Sequence, residues 1–203
     1  LCRYSMPSAD VPVVGALLQP DRYLVTPEPG PDTAAWRRSL QRALEAGITR
    51  VQLRARGLPA DATAALARVV AEDCRQAGAS LLLNRDIALA AALGTGVQLG
   101  SEQLAALRAR PLPAGQAVGA SCHDLDDLRQ AQALGCDFAV LGPLRETATH
   151  PGAATLGWDG FVALREQVAI PIYAIGGLTV DDLPTARGHG AQGIAAIRSL
   201  WPG

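Results

Sequence analysis

Residues 80–110 read SLLLNRDIALAAALGTGVQLGSEQLAALRAR, and the repeating pattern within them decides the fold class. SLLLNR is a short apolar run that is typical of a buried strand, and DIALAAALG, which follows it, has the pattern of a short helix. The same order then repeats, because VQLG predicts a strand and SEQLAALRAR predicts a helix. Strands and helices that alternate in this way build parallel sheets covered by helices.

The alternation extends in both directions from this stretch. Upstream, RYLVTP and ITRVQLRAR predict strands, and helical patterns follow them in DTAAWRRSLQRALEAG and PADATAALARVVAEDCRQAG. Asp32 is a candidate N-cap of the first helix, and Gly47 and Gly78 would end the first two helices. Downstream, AVGASCH, DFAVLGP, IPIYAIGG and QGIAAIRSL predict four more strands, which helical patterns separate.

Eight units of strand and helix predict an α/β protein, a (β/α)8 TIM barrel that forms one compact domain over residues 21–203. An open doubly wound sheet is the alternative, but no GxGxxG motif follows the first strand, as a dinucleotide-binding sheet would require. Residues 1–20 are irregular and interrupted by proline, and the chain begins at Leu1. We therefore expect residues 1–20 to be a linker or arm that comes from an upstream domain.

The composition excludes several functional classes. The net charge of the 203 residues is −1, which indicates no nucleic-acid partner. No apolar run approaches the ~20 residues that a membrane span needs. All 18 basic residues are arginines, so mechanisms that form a Schiff base with lysine are excluded. The four cysteines form no CxxC pair and no signal peptide is visible, so we expect a cytoplasmic protein with free thiols.

The second predicted strand carries polar side chains at every second position, namely Gln52, Arg54 and Arg56. Alternate residues of a barrel strand face the axis, so these three side chains would point inward. Active sites of such barrels lie at the carboxyl ends of the strands, and buried guanidinium groups there need anions such as phosphate. An internal ion pair with an acidic residue such as Asp86 is the structural alternative.

Two glycines after the seventh strand, Gly176 and Gly177, match the phosphate site of barrels of this kind, where bare backbone N–H groups bind the anion. Arg198, after the last strand, would supply a further donor. A plain tight turn is the alternative for the two glycines. We predict that a small phosphorylated metabolite places its phosphate between Gly176-Gly177 and the segment after Arg198.

Six short motifs between Arg22 and Trp201 together carry a resemblance to a known family. They are Gln52-Leu53-Arg54-Ala55-Arg56, Asn84-Arg85-Asp86, Gln98-Leu99-Gly100-Ser101-Glu102-Gln103, Ser121-Cys122-His123, Thr147-Ala148-Thr149-His150 and Ala174-Ile175-Gly176-Gly177. Their order and spacing resemble thiamine phosphate synthase and its close relatives, the thiazole tautomerases. The barrel that follows a Nudix (MutT-like) hydrolase domain in some bacterial fusion proteins looks most similar, which implies an upstream Nudix domain in the same chain.

The resemblance implies a reaction of thiamine biosynthesis that joins an aminopyrimidine pyrophosphate to a thiazole phosphate. Mg²⁺ and cations would neutralise the pyrophosphate that leaves. The resemblance assigns substrate contacts to residues at the strand ends, namely Gln52, Arg54, Asn84, Ser121, Thr147, Thr149, His150, Gly176, Gly177 and Arg198. Arg56 would have a catalytic role at the pyrophosphate, and Asp86 would be a ligand of Mg²⁺.

Four positions depart from the family pattern. Arg56 replaces a lysine of the second strand, Gln103 replaces a metal-binding carboxylate, and His150 replaces a lysine of the loop after the sixth strand. Arg198 lies near the position of a small phosphate-binding residue after the eighth strand. An uncharged amide is a poor ligand for Mg²⁺, and arginine is not a neutral substitute for lysine. We therefore expect little synthase turnover with Mg²⁺, while the binding of thiazole phosphate is retained.

His123 points to a second activity. In the tautomerases, the histidine of the SxH motif acts as a general acid and base on thiazole phosphate, and this chemistry needs no Mg²⁺. A histidine that holds the loops of the rim together is the structural alternative. Two other hypotheses stay open: a non-catalytic module that senses a phosphorylated metabolite for a neighbouring Nudix hydrolase domain, and a phosphate-binding barrel enzyme of another pathway. The oligomeric state is open as well.

Overall fold

The computed structural model describes residues 20–146, 152 and 154–203. Within these ranges the parallel strands are β1 (Arg22–Val25), β2 (Arg50–Leu53), β3 (Ser80–Asn84), β4 (Gly96–Leu99), β5 (Val118–Cys122), β6 (Phe138–Leu141), β7 (Ile172–Ile175) and β8 (Gly193–Ala196). They form a barrel in sequence order, which β8 closes by pairing with β1. The closed barrel confirms the predicted (β/α)8 fold and excludes the open doubly wound sheet.

Helices follow the strands and cover the outside of the barrel. In the described ranges they are α1 (Thr33–Glu45), α2 (Ala60–Gln76), α3 (Ile87–Leu93), α4 (Ser101–Ala106), α5 (Leu125–Ala133), α6 (Gly157–Arg165) and α7 (Leu183–Gly188). Asp32 caps α1 as predicted, because its side chain accepts a hydrogen bond of 2.8 Å from the Ala35 N–H. None of the helices in these ranges has both the length and the apolar character to cross a membrane.

Strand β2 is shorter than predicted. It ends at Leu53, so Arg54 and Arg56 lie beyond the strand. The physical reason is that the backbone leaves the ladder there, since the N–H of Arg54 donates to the Thr26 side-chain oxygen at 3.0 Å. Strand alternation therefore no longer dictates where the two arginine side chains point. Residues 1–19, which we expected to form the arm, lie outside the described residues.

Side-chain alternation divides the core into two layers. Leu81 and Leu83 of β3 point outward and pack in the layer between the strands and the helices, whereas Leu82 between them points into the barrel. In β2, Val51 and Leu53 pack in the outer layer in the same way. The barrel strands thus follow the period of two that the sequence predicted.

The lower interior of the barrel is closed by aromatic rings and one buried arginine. Tyr23, Phe138 and Tyr173 pack with ring centroids 5.3, 5.4 and 5.7 Å apart. The guanidinium carbon of Arg50 lies 4.4 Å from the centre of the Phe138 ring, and its Nη1 donates to the Tyr173 hydroxyl at 3.0 Å. We term these four residues the barrel floor. Because the floor is packed, the carboxyl ends of the strands are the open side of the barrel in the described ranges, which is where active sites of such barrels lie.

Candidate active site

A chain of hydrogen bonds joins the barrel floor to the strand ends. Gln52 Nε2 donates to the Tyr23 hydroxyl at 3.2 Å, and this hydroxyl donates to Gln98 Oε1 at 3.0 Å. Gln98 Nε2 in turn donates to Ser121 Oγ at 3.1 Å. We term these four residues the polar network. The network connects two predicted substrate contacts, Gln52 and Ser121, which come from strands that are not neighbours.

The direction of these hydrogen bonds determines what the polar network offers to a ligand. Burial raises the pKa of Tyr23, so its phenol stays protonated and acts as a donor. Because Ser121 Oγ accepts from Gln98, the Ser121 hydroxyl proton is free to donate to another acceptor. Gln52 uses its amide nitrogen in the network, which leaves its carbonyl oxygen as an acceptor. A ligand therefore meets a hydroxyl donor and an amide acceptor.

Glu28, which the sequence analysis did not single out, holds the end of β2. Its carboxylate accepts from Arg54 Nη1 at 3.2 Å and from the backbone N–H of Arg56 at 2.8 Å. The side chains of Arg54 and Glu28 are 16% and 42% exposed, so an ion pair does form, but at the surface of the barrel end and not inside it. The partner of Arg54 is Glu28 and not Asp86. The sequence could have pointed to Glu28, because it is an acidic residue shortly after β1. In a parallel barrel, β1 and β2 end side by side, so such a residue can reach the end of β2.

Arg56 lines a cavity of about 370 Å³ that β2, β3, α2 and α3 enclose. Asn84 and Arg85 line the same cavity. The cavity reaches into the helical layer, whereas we expected Arg56 to face the barrel axis. Partial burial lowers the pKa of Arg56, and the positive charges of Arg54 and Arg85 lower it further, while Glu28 acts in the opposite direction. Positive charge is therefore concentrated at this end of the barrel.

Arg85 was not predicted as a site residue, yet its backbone is unusual. Its φ of 64° lies in the left-handed region, which costs a residue with a Cβ atom roughly 1–2 kcal/mol. Two hydrogen bonds hold this conformation: the Arg85 N–H donates to the Gln98 carbonyl at 2.9 Å, and the Arg85 carbonyl accepts from Gln103 Nε2 at 2.8 Å. The guanidinium lies against Gly100, where a Cβ atom would come within 2.6 Å of it. Strained backbone that is held in this way is found mainly at functional sites.

Asp86, the predicted Mg²⁺ ligand, and Gln103, which replaces the second carboxylate, together make a poor site for a metal ion. Asp86 Oδ1 accepts from the Leu89 N–H at 2.9 Å and thereby caps α3. Gln103 is uncharged, and its amide binds the backbone of Arg85 and Gly100. In the part of the chain that the structure describes, no three His, Cys, Asp or Glu side chains come together as a metal site.

His123 is exposed at the end of β5. Its Nδ1 lies 3.0 Å from the Gly142 carbonyl oxygen, and its backbone N–H donates to Asp127 Oδ2 at 2.9 Å. The carbonyl can only accept, so the neutral ring carries its proton on Nδ1 and a lone pair on Nε2. A ring oriented in this way can take a proton from a ligand through Nε2.

The two parts of the predicted phosphate site lie next to each other. Gly176 and Gly177 follow β7 with φ values of 112° and 66°, which favour glycine. Ser199 Oγ donates to the Leu178 carbonyl at 2.9 Å and so joins this turn to the 3-10 turn Arg198–Leu200. The Arg198 side chain is exposed there. We term Gly176, Gly177 and Arg198 the phosphate corner.

Three predicted contacts belong to the loop after β6, namely Thr147, Thr149 and His150. These residues lie outside the described ranges. Their contacts with a substrate stay predictions.

Residues 22–200 match the sequence model of a family described as thiamine monophosphate synthase. A putative thiamine-phosphate synthase of Geobacter sulfurreducens is 36% identical over 161 residues, which are 78% of this chain and 76% of that protein. A thiamine-phosphate synthase of Thioalkalivibrio sulfidiphilus is 31% identical over 182 residues, which are 88% of this chain and 86% of that protein. The solved structure of a thiamine phosphate pyrophosphorylase from Pyrococcus furiosus superposes with a TM-score of 0.73 at 27% identity, over 87% of this chain and 85% of that chain.

Proposed function

Because the chain belongs to the thiamine monophosphate synthase family of thiamine biosynthesis, we propose that its barrel mouth binds thiazole phosphate and an aminopyrimidine that carries pyrophosphate. The observation that carries this proposal is the polar network, because Gln52 and Ser121 lie at its two ends. We use the word mouth for the open end of the barrel, where the strands end. The phosphate corner and the arginines after β2 would bind the two anionic ends. The heterocycles would then lie between them, over the polar network.

In the reaction that family membership implies, the thiazole nitrogen attacks the carbon that carries the pyrophosphate. The new C–N bond forms as the C–O bond breaks, and pyrophosphate leaves with the electron pair. The residues of this chain would orient the two rings through hydrogen bonds and hold both phosphorylated ends, which lowers the entropic cost of the encounter. Asp86 and Gln103 bind backbone groups instead of offering two carboxylates, so we propose that turnover with added Mg²⁺ is low.

Calorimetric titration with thiazole phosphate tests the proposed binding. We expect Arg198→Ala to weaken binding by about 1.5–3 kcal/mol, the usual contribution of a hydrogen bond to a charged group. Arg129→Ala is the matched control, because it removes the same charge from an exposed position of α5. Equal affinity in the wild type and in Arg198→Ala would show that Arg198 does not bind the phosphate. Rapid formation of thiamine phosphate with Mg²⁺ would contradict the proposed low turnover.

The orientation of His123 favours a second candidate activity, the isomerisation of a thiazole phosphate. Nε2 of His123 would remove a proton from the thiazole ring and return it at another ring position. If this activity exists, His123→Ala should abolish it and EDTA should not affect it. His189→Ala is the control, because the His189 ring stacks on Trp158 in the helical layer. Loss of activity on addition of EDTA would argue against this mechanism.

Binding of thiazole phosphate without either activity would support a third candidate, a non-catalytic module that senses this metabolite. An upstream Nudix domain, which this candidate would serve, stays a prediction, as does the cytoplasmic location. Titration of the same ligand into a fusion of this barrel with a Nudix domain would test it, because a sensor should change the activity of the neighbouring domain.

A further inference from the structure

The end of the barrel at β2 and β3 carries more positive than negative charge. Arg54 and Arg85 lie close enough to Arg56 that their positive charges lower its pKa. Their nearby carboxylates are Glu28, which is paired with Arg54, and Asp86, which caps α3. Within the described ranges, the side chains of Arg56 and Arg85 form neither a hydrogen bond nor an ion pair. An excess positive charge therefore faces the cavity.

Arg85 keeps a strained backbone conformation although its side chain forms no hydrogen bond or ion pair with the described residues. A position with φ of 64° would normally be occupied by glycine, and the described residues offer the Arg85 guanidinium no anion. Nevertheless, the backbone of Gln98 and the side chain of Gln103 hold its peptide groups. The lack of a side chain at Gly100 leaves the volume that the guanidinium occupies. This combination indicates a cation that is positioned for a ligand.

We propose that Arg85, together with Arg56, binds a diphosphate group in place of a divalent metal ion. The inference rests on the proposed function, in which the diphosphate belongs to the pyrimidine substrate. A guanidinium group donates pairs of hydrogen bonds that match pairs of phosphate oxygens, and it needs no carboxylate ligands of its own. The uncharged Gln103 is consistent with this arrangement, because its amide N–H donates to the Arg85 carbonyl. A carboxylate at this position would repel that carbonyl oxygen.

Calorimetric titration with inorganic pyrophosphate tests the dependence on metal. We expect pyrophosphate to bind in the presence of EDTA, and we expect no gain in affinity when EDTA is replaced by MgCl₂. Binding that requires Mg²⁺ would overturn the proposal, because an arginine that replaces the metal makes the metal unnecessary.

Two variants test the role of Arg85 in the same titration. Arg85→Gly should weaken pyrophosphate binding at least about tenfold, as expected for the loss of a charged hydrogen-bond donor, while Tm stays equal or rises because glycine accepts this φ. Gly100→Ala keeps every charge but displaces the guanidinium, so it should weaken binding as well. An unchanged affinity in Arg85→Gly would overturn the proposal.

Each variant has a matched control. Arg129→Ala removes one positive charge from the exposed face of α5, and Gly188→Ala adds a methyl group where no atom lies within 4 Å. Both controls should bind pyrophosphate as the wild type does. A loss of affinity in Arg129→Ala as large as in Arg85→Gly would mean that net charge alone attracts the anion, and this would overturn the proposal.

Titration with thiazole phosphate separates this inference from the proposed function. If thiazole phosphate binds but Arg85→Gly leaves pyrophosphate affinity unchanged, the inference about Arg85 fails and the proposed function stands. If pyrophosphate binding depends on Arg85 but thiazole phosphate does not bind, the diphosphate site stands and the proposed function fails.

Discussion

Arg50 and Arg85 lie at opposite ends of the same part of the barrel, and the surroundings of their guanidinium groups differ. Arg50 is 7% exposed in the barrel floor, where the rings of Phe138 and Tyr173 and the Tyr173 hydroxyl contact its guanidinium, although its buried Nε has no hydrogen-bond partner among the described residues. Arg85 is exposed at the opposite end, in a strained conformation and with no partner for its side chain in the described ranges. In the floor, the rings and a hydroxyl of the protein itself contact the cation, whereas at the mouth we propose that a ligand does so. Substitutions in the floor should therefore change stability, and substitutions at the mouth should change binding.

Phe138→Ala should have the largest effect on stability. We expect it to lower the free energy of unfolding by about 3–5 kcal/mol, because it opens a cavity in the floor and removes the ring that faces Arg50. Arg56→Ala at the mouth should change it by no more than about 0.5 kcal/mol. Urea unfolding of the two variants measures the contrast. A loss below about 1 kcal/mol in Phe138→Ala would mean that the floor is not a packed core.

Tyr23→Phe should have an intermediate effect, because Tyr23 belongs both to the floor and to the polar network. Loss of the Tyr23 hydroxyl leaves Gln98 Oε1 without a donor, which should lower the free energy of unfolding by about 1–3 kcal/mol. It should also weaken the binding of thiazole phosphate, since Ser121 is then oriented less firmly. Tyr173→Phe is the matched comparison, because it removes a hydroxyl group that binds Arg50 and not the polar network. It should destabilise the fold without lowering the affinity for thiazole phosphate. Equal effects of the two variants on binding would argue against the network.

Asp86 should give the smallest effect and tests the metal site directly. Asp86→Ala should lower the free energy of unfolding by about 1 kcal/mol through the loss of the α3 cap. Asp86→Asn should stay within a few tenths of a kcal/mol of the wild type, because asparagine caps helices as well as aspartate does. Thermal unfolding with and without MgCl₂ measures both. If Mg²⁺ stabilises the wild type but not Asp86→Asn, Asp86 is a metal ligand and the proposed replacement by Arg85 is wrong.

The sequence by itself determined the fold and most of the positions around the mouth. Strand and helix periods are local properties of the chain, so eight alternating units predicted the barrel before any contact was known. The inward direction of Gln52 followed from the period of two along β2, and the structure confirms it through the bond to Tyr23. The Asp32 cap was readable for the same reason, since the residues that form it are neighbours in sequence.

Only the tertiary structure decided which groups at the mouth form hydrogen bonds and ion pairs with one another. Glu28 pairs with Arg54 across 26 residues, and Gln103 holds the Arg85 carbonyl across 18 residues. The sequence pattern identified Arg54 and Gln103 as unusual, but it suggested Asp86 as the ion-pair partner of Arg54, whereas that partner is Glu28. Asp86 caps the helix that follows it, and its role as a metal ligand stays a prediction. The physical reason is that each strand end can meet groups from both neighbouring strands and from its own helix. Which of these partners a side chain reaches depends on the closed barrel, because closure brings distant residues within hydrogen-bonding distance.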